Sequence, residues 1–236
     1  MDKRFDGTEA IGTIVADFPG AAEVFKHYKI DFCCGGDRQL VAVMREQELD
    51  GAAVLAELNQ AYITWKSTAK VEADWNTADF SNLIEHIVKT HHAYLKQELP
   101  AIGELTTKIL RVHGAKHREL SQVHRLFHLL KMELEQHLIK EEEELFPQII
   151  QYAANPSTEL LASVVTLIDT IESEHTNAGD ILKELDALTG HYAAPADGCT
   201  SYRLTYQKLH ELESDLFQHI HLENNILHPR LKRLLK

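Results

Sequence analysis

Apolar residues recur every three or four positions from Phe80 onward. Ile84, Val88, Leu95, Leu99, Ile102, Leu105 and Ile109 form one stripe, and His92 falls on it. That period belongs to an amphipathic helix, which predicts a helix over 80–112. The same reasoning predicts helices over 118–152, bent near Pro147, and over 158–188 after Asn155-Pro156-Ser157. A fourth follows the turn-rich stretch 190–198 and runs to the C-terminus. Four long helices on short links imply antiparallel neighbours, an up-down-up-down four-helix bundle. Residues 1–63 carry a shorter pattern. Helices are predicted over 10–16, from Phe18-Pro19-Gly20 to Tyr28, over 38–47, and over 50–61 with Asp50 as N-cap. Ile30 to Asp37 reads as a turn, because paired glycines end helices. Residues 64–79 are polar and mixed and read as a linker. The expected fold is all-α: a small helical cysteine-containing domain over 1–63, then a bundle over 80–236.

Composition supports this and narrows the partners. Hydrophobic residues make up 44% of the 236, enough for a real core, with only 11 Gly and 6 Pro to break helices. A net charge of −12 disfavours nucleic acid and anionic membrane as partners. The longest apolar stretch, Leu160 to Ile168, is too short to span a bilayer, and Met1 to Asp6 lacks an apolar signal core. Three cysteines, two of them adjacent, do not make a disulfide framework and fit a reducing cytoplasm.

The chemistry lies in a repeat. His137-Leu138-Ile139-Lys140-Glu141, with Leu145 and Pro147 beyond, recurs 82 residues later as His219-Ile220-His221-Leu222-Glu223, with Leu227 and Pro229. A lone histidine precedes each copy: His92 lies 45 residues before His137, and His175 lies 44 before His219. Residues four apart share one helix face, so each His-x3-Glu pair can chelate from one side. Together the six residues make the ligand set of a two-metal site inside a bundle. The repeat also selects among neighbours. Glu144 has Ile226 as its counterpart, whereas Glu141 has Glu223; Glu142, Glu143 and Glu144 therefore read as a solvated face. His113, His117, His124, His128, His210 and His228 have no ligand-type counterpart and read as surface or packing groups. His91 and His221 fall off the spacing, and His86 could line an access route.

Four imidazoles and two carboxylates without thiolate suit iron better than manganese or zinc. If Glu141 and Glu223 both bridge, each of two irons sees two nitrogens and two oxygens. An oxo or hydroxo bridge then leaves one position open to O2, NO or peroxide. The set resembles that of hemerythrin, the helical-bundle di-iron oxygen carrier. Hemerythrin has a second histidine one turn after the first on its third helix, where this chain has Gly179. That difference opens space beside the metal and favours chemistry over reversible O2 storage.

Asp31-Phe32-Cys33-Cys34-Gly35-Gly36 ahead of such a bundle resembles the iron–sulfur cluster repair di-iron family (Repair of Iron Centers) along essentially the whole chain. Ser173-Glu174-His175 and Leu222-Glu223-Asn224-Asn225 belong to the likeness. By resemblance the metal ligands are His92, His137, Glu141, His175, His219 and Glu223, the six that the repeat selects. The resemblance further implies a cytoplasmic homodimer that restores iron–sulfur clusters damaged by nitric oxide or oxidants. Iron supply, NO reduction at the di-iron centre, or both would serve. The alternative is a hemerythrin-like protein that binds or senses O2 or NO without catalysis. Cys33 and Cys34 read as redox or iron-handing thiols on an exposed turn. Adjacent Cα atoms are about 3.8 Å apart, below the usual disulfide range, so a bond between them would be strained and reducible. Cys199, in the loop before the last helix, reads as structural, and Trp65 and Trp75 as anchors of the linker. A fragment starting near Asp79 is expected to fold and hold its metal alone.

Overall fold

The computed structural model describes residues 5–68 and 74–235. The middle of the linker expected over 64–79 and the first four residues lie outside the described residues. Among the described residues the regular structure is helical throughout, and the up-down-up-down bundle preceded by short helices is present as expected. One antiparallel bridge, Ala10 with Gln39, is isolated.

The short helices are α1 (Ile11–Asp17), α2 (Ala21–His27), α3 (Leu40–Glu46) and α4 (Gly51–Thr68). The long helices are interrupted. The first comprises α5 (Phe80–Ile87), a π turn π1 (Val88–His92) and α6 (Ala93–His113). The second comprises α7 (Leu120–Lys140), π2 (Glu141–Leu145) and α8 (Phe146–Ala154). The third, α9 (Thr158–Leu188), is unbroken. The fourth comprises α10 (Thr200–His221), π3 (Leu222–Leu227) and α11 (His228–Leu234). The bend expected at Pro147 takes the form of π2. Pro147 then sits in the first turn of α8, and Pro229 likewise in α11. Proline has no N–H for the helical ladder and clashes with the turn before it; a widened turn relieves both.

Contacts gather the chain into two compact units, Met1–Leu83 with Phe217–Lys236, and Ile84–Leu216. In the first, α1 to α4 enclose a core of Ile11, Ile14, Phe18, Phe25, Leu40, Val54 and Leu58. Asp50 caps α4 as expected, its Oδ1 accepting from Ala52 N at 3.0 Å and Ala53 N at 3.1 Å. This helix runs seven residues beyond the predicted Ala61, to Thr68. Tertiary packing extends it: Tyr62 and Trp65 lie 5.5 and 5.3 Å from the Phe18 ring. From the C-terminal stretch, π3 packs on α1, and Phe217 stands edge-on to Phe32 with centroids 6.0 Å apart. Arg230 donates to the Trp75 carbonyl at 2.9 Å and lies 4.5 Å over the Phe80 ring.

In the second unit, α7 packs against both α6 and α9. Lys208 on α10 pairs with Glu98 on α6 at 3.2 Å. Leu95, Leu99, Ile102, Phe127, Leu130, Ile168, Ile171, Leu182 and Leu212 fill the interior.

Candidate metal centre

Four of the six predicted ligands meet inside the second unit. His92 ends π1, His137 lies in the last turn of α7, Glu141 opens π2, and His175 sits mid-way along α9. All four are buried, Glu141 and His92 completely. Glu141 Oε2 lies 3.3 Å from His92 Nε2 and 3.3 Å from His137 Nε2. His137 Nε2 in turn lies 3.2 Å from His175 Nε2. The other two ligands meet in the first unit, across the junction of α10 and π3. There His219 Nε2 stands 3.2 Å from Glu223 Oε1, both buried.

The outer nitrogens decide what the inner ones offer. His92 Nδ1 lies 2.7 Å from Glu142 Oε1, and His137 Nδ1 lies 2.9 Å from Glu174 Oε2. An ionised carboxylate only accepts, so each Nδ1 carries a proton, and in the neutral ring each Nε2 then presents a lone pair toward the Glu141 carboxylate. Lone pairs held at that distance call for a cation between them. Ligand atoms about 2.1 Å from one metal and at right angles are about 3 Å apart, so the spacing fits. Carboxylates behind metal-binding imidazoles fix tautomer and ring orientation. Lys96 and Lys140 steady the two carboxylates by ion pairs with Glu142 and Glu174. Burial pushes the Glu142 carboxyl up, but its bonds to Lys96 and His92 outweigh this and hold it below the ordinary value. The His137 bond, then Lys140, holds Glu174 low against burial.

The sequence reading of Glu142 as part of a solvated face is therefore corrected; Glu143 and Glu144 are exposed. Glu174 was not singled out as a partner of His137. Its one clue was adjacency to His175.

Two family models match the chain: a domain of unknown function, DUF542, over residues 7–62, and the hemerythrin HHE cation binding domain over 83–231. The iron-sulfur cluster repair protein YtfE of Citrobacter koseri is 33% identical over 222 residues, spanning 94% of this chain and 96% of that protein. Its namesakes in Enterobacter sp. strain 638 and Escherichia coli O157:H7 are 34% and 32% identical over the same shares. The chain belongs to this family of iron–sulfur cluster repair proteins. Its hemerythrin-type part is thus of a cation-binding kind.

The cysteine turn departs from expectation. Cys33 and Cys34 are free thiols with sulfurs 3.8 Å apart. The turn is not exposed: Cys33 is 2% exposed and Gly36 is buried, while Cys34 is half-buried. Asp31 holds it. Its Oδ1 accepts from Cys33 N, Cys34 N and Gly35 N at 3.2, 2.9 and 3.2 Å. The Cys34 sulfur, and then burial, pushes the Cys33 thiol up. Cys199 also differs from its structural reading. It is exposed, and its Sγ lies 3.2 Å from His113 Nε2. That contact, with backbone N–H groups of Tyr202 and Ser201, lowers its thiol to about 7.

The remaining histidines take surface or packing roles. His117 pairs with Glu119 and Asp197, and His124 and His128 meet Thr107. His228 is fully buried. His91 pairs with Asp215 at 2.9 Å. Gly179 is buried one turn past His175 on α9. No helix of the described residues is long and apolar enough to cross a membrane.

Proposed function

We propose that this chain is a di-iron protein that repairs iron–sulfur clusters damaged by nitric oxide or oxidants. His92, His137, Glu141, His175, His219 and Glu223 hold the two irons. The observation that carries this is the pair of imidazoles with carboxylate-tied Nδ1 atoms, whose Nε2 atoms face one buried carboxylate. The sequence repeat supplies the matching half, and the relatives are named for cluster repair. The two irons supply ligand exchange and one-electron chemistry toward NO or O2. The protein's part is positional. Glu142 and Glu174 keep His92 and His137 in the binding tautomer, and the apolar interior keeps water from the imidazoles. The chain acts in the cytoplasm, as a homodimer, on damaged iron–sulfur proteins. Iron supply, NO reduction or both accomplish the repair.

Elemental analysis is the direct test. Two irons per chain are expected, falling below two in His137→Ala and in His219→Ala with the helical signal kept. His117→Ala and His128→Ala should keep the full complement. Wild-type stoichiometry in both ligand variants would remove the assignment. Anaerobic NO added to the reduced protein separates chemistry from sensing: N2O production supports turnover, and a stable nitrosyl supports the sensor.

A further inference from the structure

Asn225 lies two residues past Glu223 on π3, and its side chain turns to the cysteine turn. Its Nδ2 donates to the carbonyls of Phe32 and Cys33, each at 3.1 Å. One amide group has two hydrogens, enough for both carbonyls. His221 Nδ1, 3.3 Å away, is a third neighbour of the same nitrogen. The amide oxygen occupies a notch between two glycines. A Cβ built on Gly12 or on Gly36 would come within 2.1 Å of Asn225 Oδ1. Those two glycines are themselves joined, Gly12 N donating to Gly36 O at 2.7 Å. The missing side chains at 12 and 36 therefore create the seat for this one amide.

The turn is thus gripped from two sides. Asp31 gathers its N–H groups, and Asn225 takes its carbonyls. Buried backbone carbonyls need such partners. Cys33 is closed off while both grips hold. The Asn225 grip belongs to a π turn, a form that recurs at functional sites and has a less regular hydrogen-bond ladder than an α-helix. Glu223 is part of the same turn.

We propose that Asn225 is a positioning residue that latches the thiol turn to the metal-binding π turn, so that metal at Glu223 keeps Cys33 covered and metal loss uncovers it. The coupling arm rests on the metal reading given above. A metal that fixes Glu223 fixes Asn225 two residues away. Release of the metal frees π3 to relax, the amide leaves its notch, and the Cys33–Cys34 pair becomes reachable. Linkage makes this reciprocal: a chain that holds its thiol turn closed holds its metal more tightly. The thiols would then be offered at the moment iron leaves.

The test is alkylation of the full-length protein with iodoacetamide, read at each cysteine by peptide mass. Iron-loaded and chelator-stripped samples are compared. In loaded protein Asn225→Ala is expected to raise the Cys33 rate about tenfold or more, with the helical signal kept. Asn225→Asp should do the same, because a carboxylate of equal size cannot donate to two carbonyls. Gly36→Ala is an independent route, since its methyl expels the amide from the notch. Wild-type Cys33 should react more slowly when loaded than when stripped, and this difference should vanish in Asn225→Ala. Wild-type Cys33 rates in the two Asn225 variants would overturn the latch. Equal rates in loaded and stripped wild type would overturn the coupling. A chain that never carries metal removes the repair reading and the coupling with it, whereas the latch still stands or falls on the variants' Cys33 rates.

Discussion

At the scale of single residues, the six candidate ligands were legible because the chain repeats them, and repetition does not depend on tertiary structure. The carboxylates behind the imidazoles were not. Glu142 serves His92 from 50 residues away in sequence, and Glu174 serves His137 from 37. Only the approach of one helix to another assigns such pairs. Their loss should be felt at the metal. Glu142→Gln and Glu174→Gln should each weaken iron binding by about 10–100-fold in competition with a chelator, while Glu143→Gln should leave it unchanged. Equal affinities in all three would deny these carboxylates an orienting role. Cys199 yields a separate prediction. Its thiol is lowered from the ordinary 9.0 to about 7, chiefly by His113. The thiolate therefore forms as pH rises through about 7, and alkylation at Cys199 should climb across that range. In His113→Ala the climb should move toward the ordinary thiol value, and an unmoved profile would show that the histidine is not the cause.

At the scale of elements, apolar period located the helices well where one face is buried along the whole length. The expected 158–188 is α9 to the residue. It failed at α4, whose last seven residues owe their helix to aromatic packing on Phe18 rather than to a local pattern. It also missed the π turns, since one extra residue barely disturbs a stripe. A trace was nonetheless present. Leu145-x-Pro147 and Leu227-x-Pro229 are part of the repeat, and each Leu closes a π turn with Pro just inside the next helix. Three π turns carry His92, Glu141 and Glu223, and α9, which carries His175, has none. Helix starts offer a cleaner test of local rules. Asp50 caps α4, and Ser157 caps α9 by accepting from Leu160 N at 3.1 Å. Asp50→Ala and Ser157→Ala should each cost about 1 kcal/mol. That corresponds to a fall of roughly 2–4 °C in melting temperature for a chain of this size. The caps are in different compact units and share no partner, so the double variant should show the sum. A shortfall would mean that the helix starts are held by packing instead.

At the scale of the whole molecule, the two family models fall on either side of residues 64–79, the stretch whose composition reads as a linker. Composition cannot show where the end of the chain packs. Phe217–Lys236 gathers with Met1–Leu83, and this stretch carries His219 and Glu223. Its partners are specific: Phe32 against Phe217 and His221, Gly12 and Gly36 around Asn225, and the Trp75 carbonyl on Arg230. That packing changes the outcome expected for a fragment starting near Asp79. Such a fragment keeps His92, His137, Glu141 and His175 with their carboxylates, but it strips Phe217, His221 and Asn225 of their neighbours. An apolar surface laid bare and a turn robbed of its hydrogen bonds both favour fraying. The fragment should therefore retain most of its helical signal and carry fewer than two irons. Hydrogen exchange should be fastest after Leu216, and slow along α7 and α9. The full-length Cys33→Ser/Cys34→Ser variant removes the thiols without removing this packing, so it should keep its iron and lose only cluster repair. A fragment that holds two irons as firmly as the full chain would show that the N-terminal helices contribute nothing to the metal centre, and that their packing on 217–235 serves another end.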